Sequence, residues 1–440
     1  MATVTTSHSP LDDLLDLQPG TERCPYLGWA TLRHTAPVIW VERLGAYAVT
    51  RYEDVEEVLG DPVRFPSGLG NPQGPKIGQR LAEARAELAE TNEEFRQLLD
   101  RMRPDWRSQQ VLLGADGEEH TGHRATVVGM FSARRAAALE PWIQELADGL
   151  VDGFENDEVV ELFTRFCMAL PVQVIANQLG VDQERIPDFL RWSVHANQHM
   201  GNDDFDKQDV VEHTRCNVEF SEYFRPLLEA RKSDPQDDFV TKIVQADDEK
   251  HHLTDTKRLA IVSQMLNAGH ETSSKTMADG VARLAADPEL AARLRANPDE
   301  IPLLVEESLR LTSPTQGLYR TVAHDTTLGG VELSAGSALL VLYASANRTE
   351  EVFPSPDDVD IDRPNLASHL SFGKGKHFCP GAALARVVIR VGLTTLLRRM
   401  PPWTIAEDAG GDIFNRSYLL HGRNELWVRF AQPNTPGSRS

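Results

Sequence analysis

Residues 371–386, SFGKGKHFCPGAALAR, restrict this chain more than any other stretch. Gly373, Gly375 and Gly381 surround one cysteine, Cys379, and Pro380 follows it directly. Closely spaced glycines allow turns that other residues resist. From about Gly381 the alanine- and arginine-rich run reads as a helix. The loop must therefore carry a single thiol to the start of a helix.

Several chemistries use a thiol in such a setting. A phosphate loop needs GxxxxGK[ST], which GKGKHFCPG does not supply. Zinc would take His377 and Cys379 but needs three or four ligands. No second Cys/His cluster has matching spacing, and the HTGH run (His120 to His123) sits in a polar, acidic segment. A nucleophilic thiol wants an electropositive setting and a base, for which His377 is the candidate. The glycines and the helix then have no obvious purpose. A thiolate axial ligand to haem iron uses all of these parts. The turn supplies backbone N–H groups to the sulfur, and the helix N-terminus faces its negative charge.

The pattern F-G-x-G-x-H-x-C-x-G resembles the haem-binding loop of the cytochrome P450 family. Further motifs of that family follow in its order. AGHET, Ala268 to Thr272, resembles the distal-helix motif, and EESLR contains Glu307-x-x-Arg310. Three residues apart, Glu307 and Arg310 share a helix face and can pair. Arg363 of DIDRPN matches the third member of that charge network. HTGHR matches the H-x-x-x-R pair, His120 and Arg124, that the family sets against a haem propionate. Arg320 and His377 match further propionate ligands. The resemblance runs from about Cys24 to Phe430.

The resemblance implies a mainly α protein with small β-sheets, one domain over residues 21–431, and haem b between a distal helix and the cysteine loop. Phe372, Gly373, Gly375 and Gly381 would pack beside the thiolate or let backbone approach the porphyrin, and Ala268 and Gly269 would face the other side. Gly269 would allow the distal helix to open locally. Glu271, turning toward solvent, and Thr272 would deliver protons. The implied activity is a monooxygenase reaction on a mainly apolar small molecule: hydroxylation, epoxidation or oxidative dealkylation. Non-oxygenating haem proteins and partner-activating scaffolds of the same fold are the alternative. The acid–alcohol pair argues for a redox partner, a ferredoxin or flavodoxin with its NAD(P)H reductase. Lys374, Lys376, Arg386, Arg134 and Arg135 would form the docking patch. Pro380 departs from a donor at that position, because proline has no N–H to aim at the sulfur. Family geometry points to Leu266, Asn267, Thr315, Gln316, Gly317, Leu318, Leu419 and Leu420 as pocket residues. Such a lining suits an apolar substrate with a polar group.

Composition limits the partners. Sixty-six acidic residues against 45 basic ones give a formal net charge of −21, which disfavours nucleic acid and anionic membrane. No run of about 20 apolar residues suggests a membrane span, and the N-terminus lacks a signal-peptide pattern, so a cytoplasmic protein is expected. Cys24, Cys167 and Cys216 read as small buried hydrophobes.

Ala36–Asp61 reads as strand, turn, strand and helix, and Ser132–Asp287 as mostly helical. TTLGGVELSAGSALLVLYAS reads as a hairpin, and SYLLHGRNELWVRF as two short strands. Between Pro75 and Pro104, apolar residues at steps of three, four or seven make one stripe on a charged helix. That helix is expected to pack on the body, with a mobile lid as the second reading. Residues 1–20 and 432–440 are expected to be flexible tails.

Overall fold

The computed structural model describes residues 10–16, 18, 20–67, 74–102, 104–202 and 204–431. In chain order, helices α1 (Pro10–Leu15) and α2 (Tyr26–Thr35) precede strands β1 (Val38–Val41) and β2 (Ala46–Val49), then α3 (Tyr52–Gly60). Helices α4 (Pro75–Thr91), α5 (Glu93–Arg101), α6 (Gly117–Val128) and α7 (Ala133–Asp152) follow, then β3 (Val159–Glu161). The central body is α8 (Ala169–Leu179), α9 (Ile186–Asn197), α10 (Lys207–Ser233), α11 (Phe239–Val244), α12 (Asp248–His251), α13 (Asp255–Ala286), α14 (Pro288–Ala296) and α15 (Ile301–Thr312). Strands β4 (Leu318–Thr321), β5 (Thr326–Leu328), β6 (Val331–Leu333) and β7 (Ala338–Val341) come next. The chain ends in α16 (Tyr343–Ala346), α17 (Ala382–Arg399), β8 (Trp403–Ile405), β9 (Asp412–Phe414) and β10 (Arg423–Phe430).

Helix α13 is the axis of the molecule. Its 32 residues follow Thr254, whose side chain accepts from Lys257 N and caps the first turn. Residues from Arg258 to Leu284 are mostly buried, against α8, α15 and α17. A helix buried on nearly all sides lies in the core, and its buried polar residues, among them His270, Lys275 and Asp279, must find partners there. One four-stranded sheet runs β1-β2-β7-β4, with β2 and β7 parallel, and packs at the edge beside α3. The β5–β6 hairpin turns through Gly329 and Gly330, at φ +54° and +81°, a turn that needs positive φ at both positions.

The structure corrects four readings of secondary structure and one of burial. β3 lies inside the stretch read as helical and pairs with β10, a contact across the sequence that no local pattern signals. SYLLHGRNELWVRF holds one strand, β10, not two. Its first half is a bend tied by a Thr315–Leu420 bridge. The Pro75–Pro104 helix is two helices, broken at Asn92, whose side chain accepts from Phe95 N and starts α5. Its stripe (Ile77, Leu81, Leu88, Phe95, Leu98 and Met102) is buried as a packing face, with both helices against α10. Finally, α1 is helical, with Leu14 and Leu15 buried, so the expected tail is shorter than 20 residues. Residues 1–9 and 432–440 lie outside the described residues. Cys167 and Cys216 are buried as expected, but Cys24 is exposed.

Candidate active site

The cysteine loop is assembled from both of its ends. Gly373 and Gly375 adopt φ +67° and +69°, the left-handed region that favours glycine. A Cβ on Gly375 would lie 2.7 Å from the Leu59 carbonyl oxygen. Gly375 thus lets the loop approach α3, not the porphyrin. Cys379 N donates to Phe372 O at 2.9 Å, and Ala382 N to Cys379 O at 3.4 Å, closing the loop onto α17. Burial pushes the Cys379 thiol up, against the Gly381 N–H, Arg124, Arg386 and the Ala382 N–H, which favour the thiolate. Those two N–H groups take the place of the donor that Pro380 lacks. The net direction is up, so ionisation of the sulfur at neutral pH requires a cation beside it.

Arg386 braces the loop. Its guanidinium stacks 4.6 Å over Phe372 and forks onto Glu306 of α15 at 2.6 and 2.8 Å. Burial would raise the Glu306 pKa, but hydrogen bonds from Arg386 and His369 bring it down to about 2. A depressed carboxylate stabilises the fold above its ordinary value and loses that contribution as pH falls toward 2. Glu306→Gln is therefore expected to cost ~3 kcal/mol at neutral pH and to flatten the acid limb of stability. Urea midpoints measured from pH 7 down to the acid transition test this, and an unchanged limb contradicts it.

Opposite Cys379, across a cavity of about 470 Å³, α13 presents Ala268, Gly269, Glu271 and Thr272. The same walls include His120, Arg124, Arg320, Phe372, Gly373, His377, Pro380 and Gly381. α13 runs unbroken through the motif, so the expected local opening is absent. A Cβ on Gly269 would meet Ile175 at 2.6 Å, so this glycine lets α8 approach α13 closely. Thr272 Oγ1 donates to its own i−4 carbonyl, Ala268 O, at 3.3 Å. Glu271, read as turning to solvent, is held instead. Its Oε2 accepts from Asn197 Nδ2 at 2.5 Å, and its Oε1 lies 3.6 Å from Lys275 Nζ.

At the cavity edge His120 stacks on His377 with ring centroids 4.0 Å apart. Burial, His377 and Arg124 push His120 down to about 4, so it is neutral at physiological pH. His377 Nε2 lies 3.3 Å from Asp116 Oδ1, and Arg124 donates to Phe378 O at 2.6 Å. Arg320 is 3% exposed, yet its Nε and Nη1 have no partner. Orphaned guanidinium donors inside a cavity are costly unless an anion meets them. Two propionates of a haem set over Cys379 are such anions, and the donor set fits the group. A zinc site does not fit. Among the described residues the only metal-competent grouping is His195, Glu212 and Cys216, which excludes His377 and Cys379.

Behind this wall Glu307 and Arg310, both fully buried, form a two-pronged pair at 2.7 Å. Arg363 joins at 3.1 Å. Both arginines also bond backbone carbonyls of residues 347–358, including Pro356 O and Ser355 O. The network staples the segment before the cysteine loop to α15.

Several residues read as pocket-lining lie elsewhere. Asn267, Leu318, Thr315 and Leu420 face the cavity. Leu266, Gln316, Gly317 and Leu419 do not. Leu266 is packed in the core at 1% exposure, one helical step away from the cavity face. Gln316 closes a turn by donating to Thr312 O and Ser313 O. A Cβ on Gly317 would strike Val341 O at 2.5 Å. Leu419 uses its carbonyl to accept from Gln316 N. The lining that the sequence missed includes Ile175, Ala196, Asn197, Met200 and Met265. α8 and α9 carry no motif pointing to the cavity. Lys275 did leave a signal, an E-x-x-x-K step on α13.

The expected docking patch is thinner than its sequence. Lys374 is paired with Glu56, Arg135 with Asp237, and Arg386 with Glu306, while Lys376 and Arg134 are exposed.

A lone cysteine ringed by backbone donors, with arginine and histidine at the rim and a buried helix above, defines a haem-thiolate protein. The chain matches the Cytochrome P450 family over residues 85–424 and belongs to that family. It is 33% identical over 390 residues to Cytochrome P450 107B1 of Saccharopolyspora erythraea, covering 88% of this chain and 90% of that one. It is 35% identical over 387 residues to Mycinamicin IV hydroxylase/epoxidase of Micromonospora griseorubida, covering 87% and 89%. The solved structure of P450BioI, in complex with hexadec-9Z-enoic acid ligated acyl carrier protein, aligns with a TM-score of 0.79. That match has 28% identity and covers 93% of this chain and 99% of the other. The protein is a cytochrome P450 monooxygenase with haem as cofactor, acting on a small molecule with electrons from a redox partner. No helix among the described residues is long and apolar enough to cross a membrane.

Proposed function

We propose that this chain hydroxylates or epoxidises an apolar small molecule that carries a hydroxyl or similar hydrogen-bond donor. Cys379 is its iron ligand, and Glu271 and Thr272 manage protons. The observation that carries the reading is one cavity with Cys379 on its floor and Glu271 and Thr272 on its roof. Haem, when bound, supplies reductive activation of O2. Arg124, Arg320, His120 and His377 would hold its propionates, and the Gly381 and Ala382 N–H groups would stabilise the sulfur's charge. Thr272 spends its one hydroxyl proton on Ala268 O. Turning Oγ1 away from that carbonyl frees the proton for the cavity, and Glu271, one residue away, takes up a proton from the solvent side and passes it on to replace it. Glu271→Gln is expected to lower product formation on the order of 100-fold and to raise hydrogen peroxide per electron consumed. Equal product yield in variant and wild type would refute the role.

The polar handle follows from Asn267. Its Oδ1 is buried on the cavity wall without a donor. The same cavity is lined by the apolar Leu113, Val174, Met200, Met265 and Leu318. A substrate hydroxyl meeting Oδ1 removes that cost. Mycinamicin IV hydroxylase/epoxidase, a relative in name an oxygenase of hydroxylation and epoxidation, supports those two reactions for this chain. The test is an optical titration of the ferric protein with terpenoids, steroids, macrolides and methoxy-aromatics, each beside its deoxy analogue. The Soret shift is expected for one hydroxylated class, with its deoxy partner about tenfold weaker. No preference for the hydroxyl refutes the handle. Electrons come from a ferredoxin or flavodoxin in the cytoplasm, through the face that carries Lys376 and Arg134. Turnover with purified ferredoxin and flavodoxin systems separates the two donors.

A further inference from the structure

Lys275 stands one helical turn beyond Glu271 on α13, with its side chain 1% exposed. A buried ammonium costs several kcal/mol of free energy unless it is paired and hydrogen-bonded. Two groups meet it: Glu271 Oε1 at 3.6 Å, and Asn424 Oδ1, which accepts from Nζ at 2.9 Å. The fold makes room for its stem at Gly422, which adopts φ +143°. A Cβ there would lie 2.5 Å from Lys275 Cβ and 2.7 Å from its Cγ. Asn424 is exposed on β10, so a polar line runs from the surface through Lys275 to the cavity wall.

Among the described residues, no other cation on the neighbouring elements competes for that carboxylate. His270 on α13 bonds Ser193 on α9, and burial, then Lys275, push it down to about 4. His421, before β10, is pushed down to about 3, first by burial. Both are neutral at physiological pH. Arg423 and Arg283 are engaged by Asp279, one turn further along α13.

We propose that Lys275 is a positioning residue for Glu271, holding its carboxyl group in place at the cavity wall with Asn424 as its outer anchor. This rests on the reading of Glu271 as a proton-handling group. Burial depresses the Lys275 pKa and Glu271 restores part of it. The ammonium is therefore lost at lower pH than on a surface lysine, and Glu271 loses its partner on the alkaline side.

The test measures product per electron consumed, against pH, for wild type, K275M, E271Q and K275M/E271Q. K275M is expected to fall about tenfold in the wild-type background, to lose the alkaline limb, and to cause no further fall in E271Q. Thermal melting gives a readout independent of turnover. E271Q strands a buried ammonium and melts lower, and the double variant regains the loss. An unimpaired K275M beside an impaired E271Q overturns the proposal. A K275M effect that adds fully to E271Q also overturns it, because Lys275 would then act apart from Glu271. An unimpaired E271Q overturns the reading of Glu271 itself, a separate outcome. If K275M does not fold, N424A, at an exposed position, decides. It should fall in the same direction in wild type only, and an unchanged N424A overturns the proposal.

Discussion

Serine in place of Cys379 is expected to lower monooxygenase turnover by roughly 1,000-fold or more while leaving the polypeptide folded. The Soret band of the reduced, carbon monoxide-treated protein should leave the position that marks thiolate ligation. Serine keeps the side-chain shape with a smaller atom on a shorter bond, so nothing in the loop is overpacked. The Cys379→Ser variant would keep the backbone bonds that close the loop, in which this position donates to Phe372 O and accepts from Ala382 N. What disappears is a group that ionises under a cation at neutral pH. A serine hydroxyl does not, even with two backbone N–H groups, Arg124 and Arg386 close by. Optical spectra and product assays on the same preparation decide it. Wild-type spectra from the serine variant would remove Cys379 from the iron.

The second large effect belongs to Glu307. Glu307→Ala leaves Arg310, 0% exposed, and Arg363 without their carboxylate in the protein interior. Removing one member of a buried ion network costs about 3–5 kcal/mol, because the remaining charges keep their desolvation penalty and lose its compensation. Against a total stability of roughly 5–15 kcal/mol, that is a large share. The carbonyls of Pro354, Ser355, Pro356 and Asp358 are still bonded by the arginines, but the arginines are no longer fixed to α15. The segment leading to the cysteine loop should loosen, and haem content should fall together with the melting temperature. A variant that melts with wild type and retains full haem would show the network to be dispensable.

These two effects differ in how far the sequence foretold them. Cys379 and its glycines lie within one short loop, so their chemistry is contained in local order. The Glu307–Arg310 pair is likewise one turn of helix. Arg363 was reached only through the order of the family's motifs, since nothing nearby says that it meets Glu307. The apolar stripe of α4 and α5 was legible by period, but the break at Asn92 was not, because a single capping side chain decided it.

The sequence by itself determined the haem-thiolate loop, the acid–alcohol step on α13, the main helical body and the charge pair on α15. Each depends on residues a few positions apart, whose geometry one turn or one helix repeat sets. Only the tertiary structure decided which way the pocket residues face. It turned Leu266 and Leu419 into the core and Met265 and Leu420 toward the cavity, one position apart in each case. It also brought Asn197 and Asn424 to the two ends of the Glu271–Lys275 pair, from 74 and 149 residues away. On α13 a step of one residue turns a side chain by about 100°, and there, as in the bend before β10, packing against distant elements selects which side is buried.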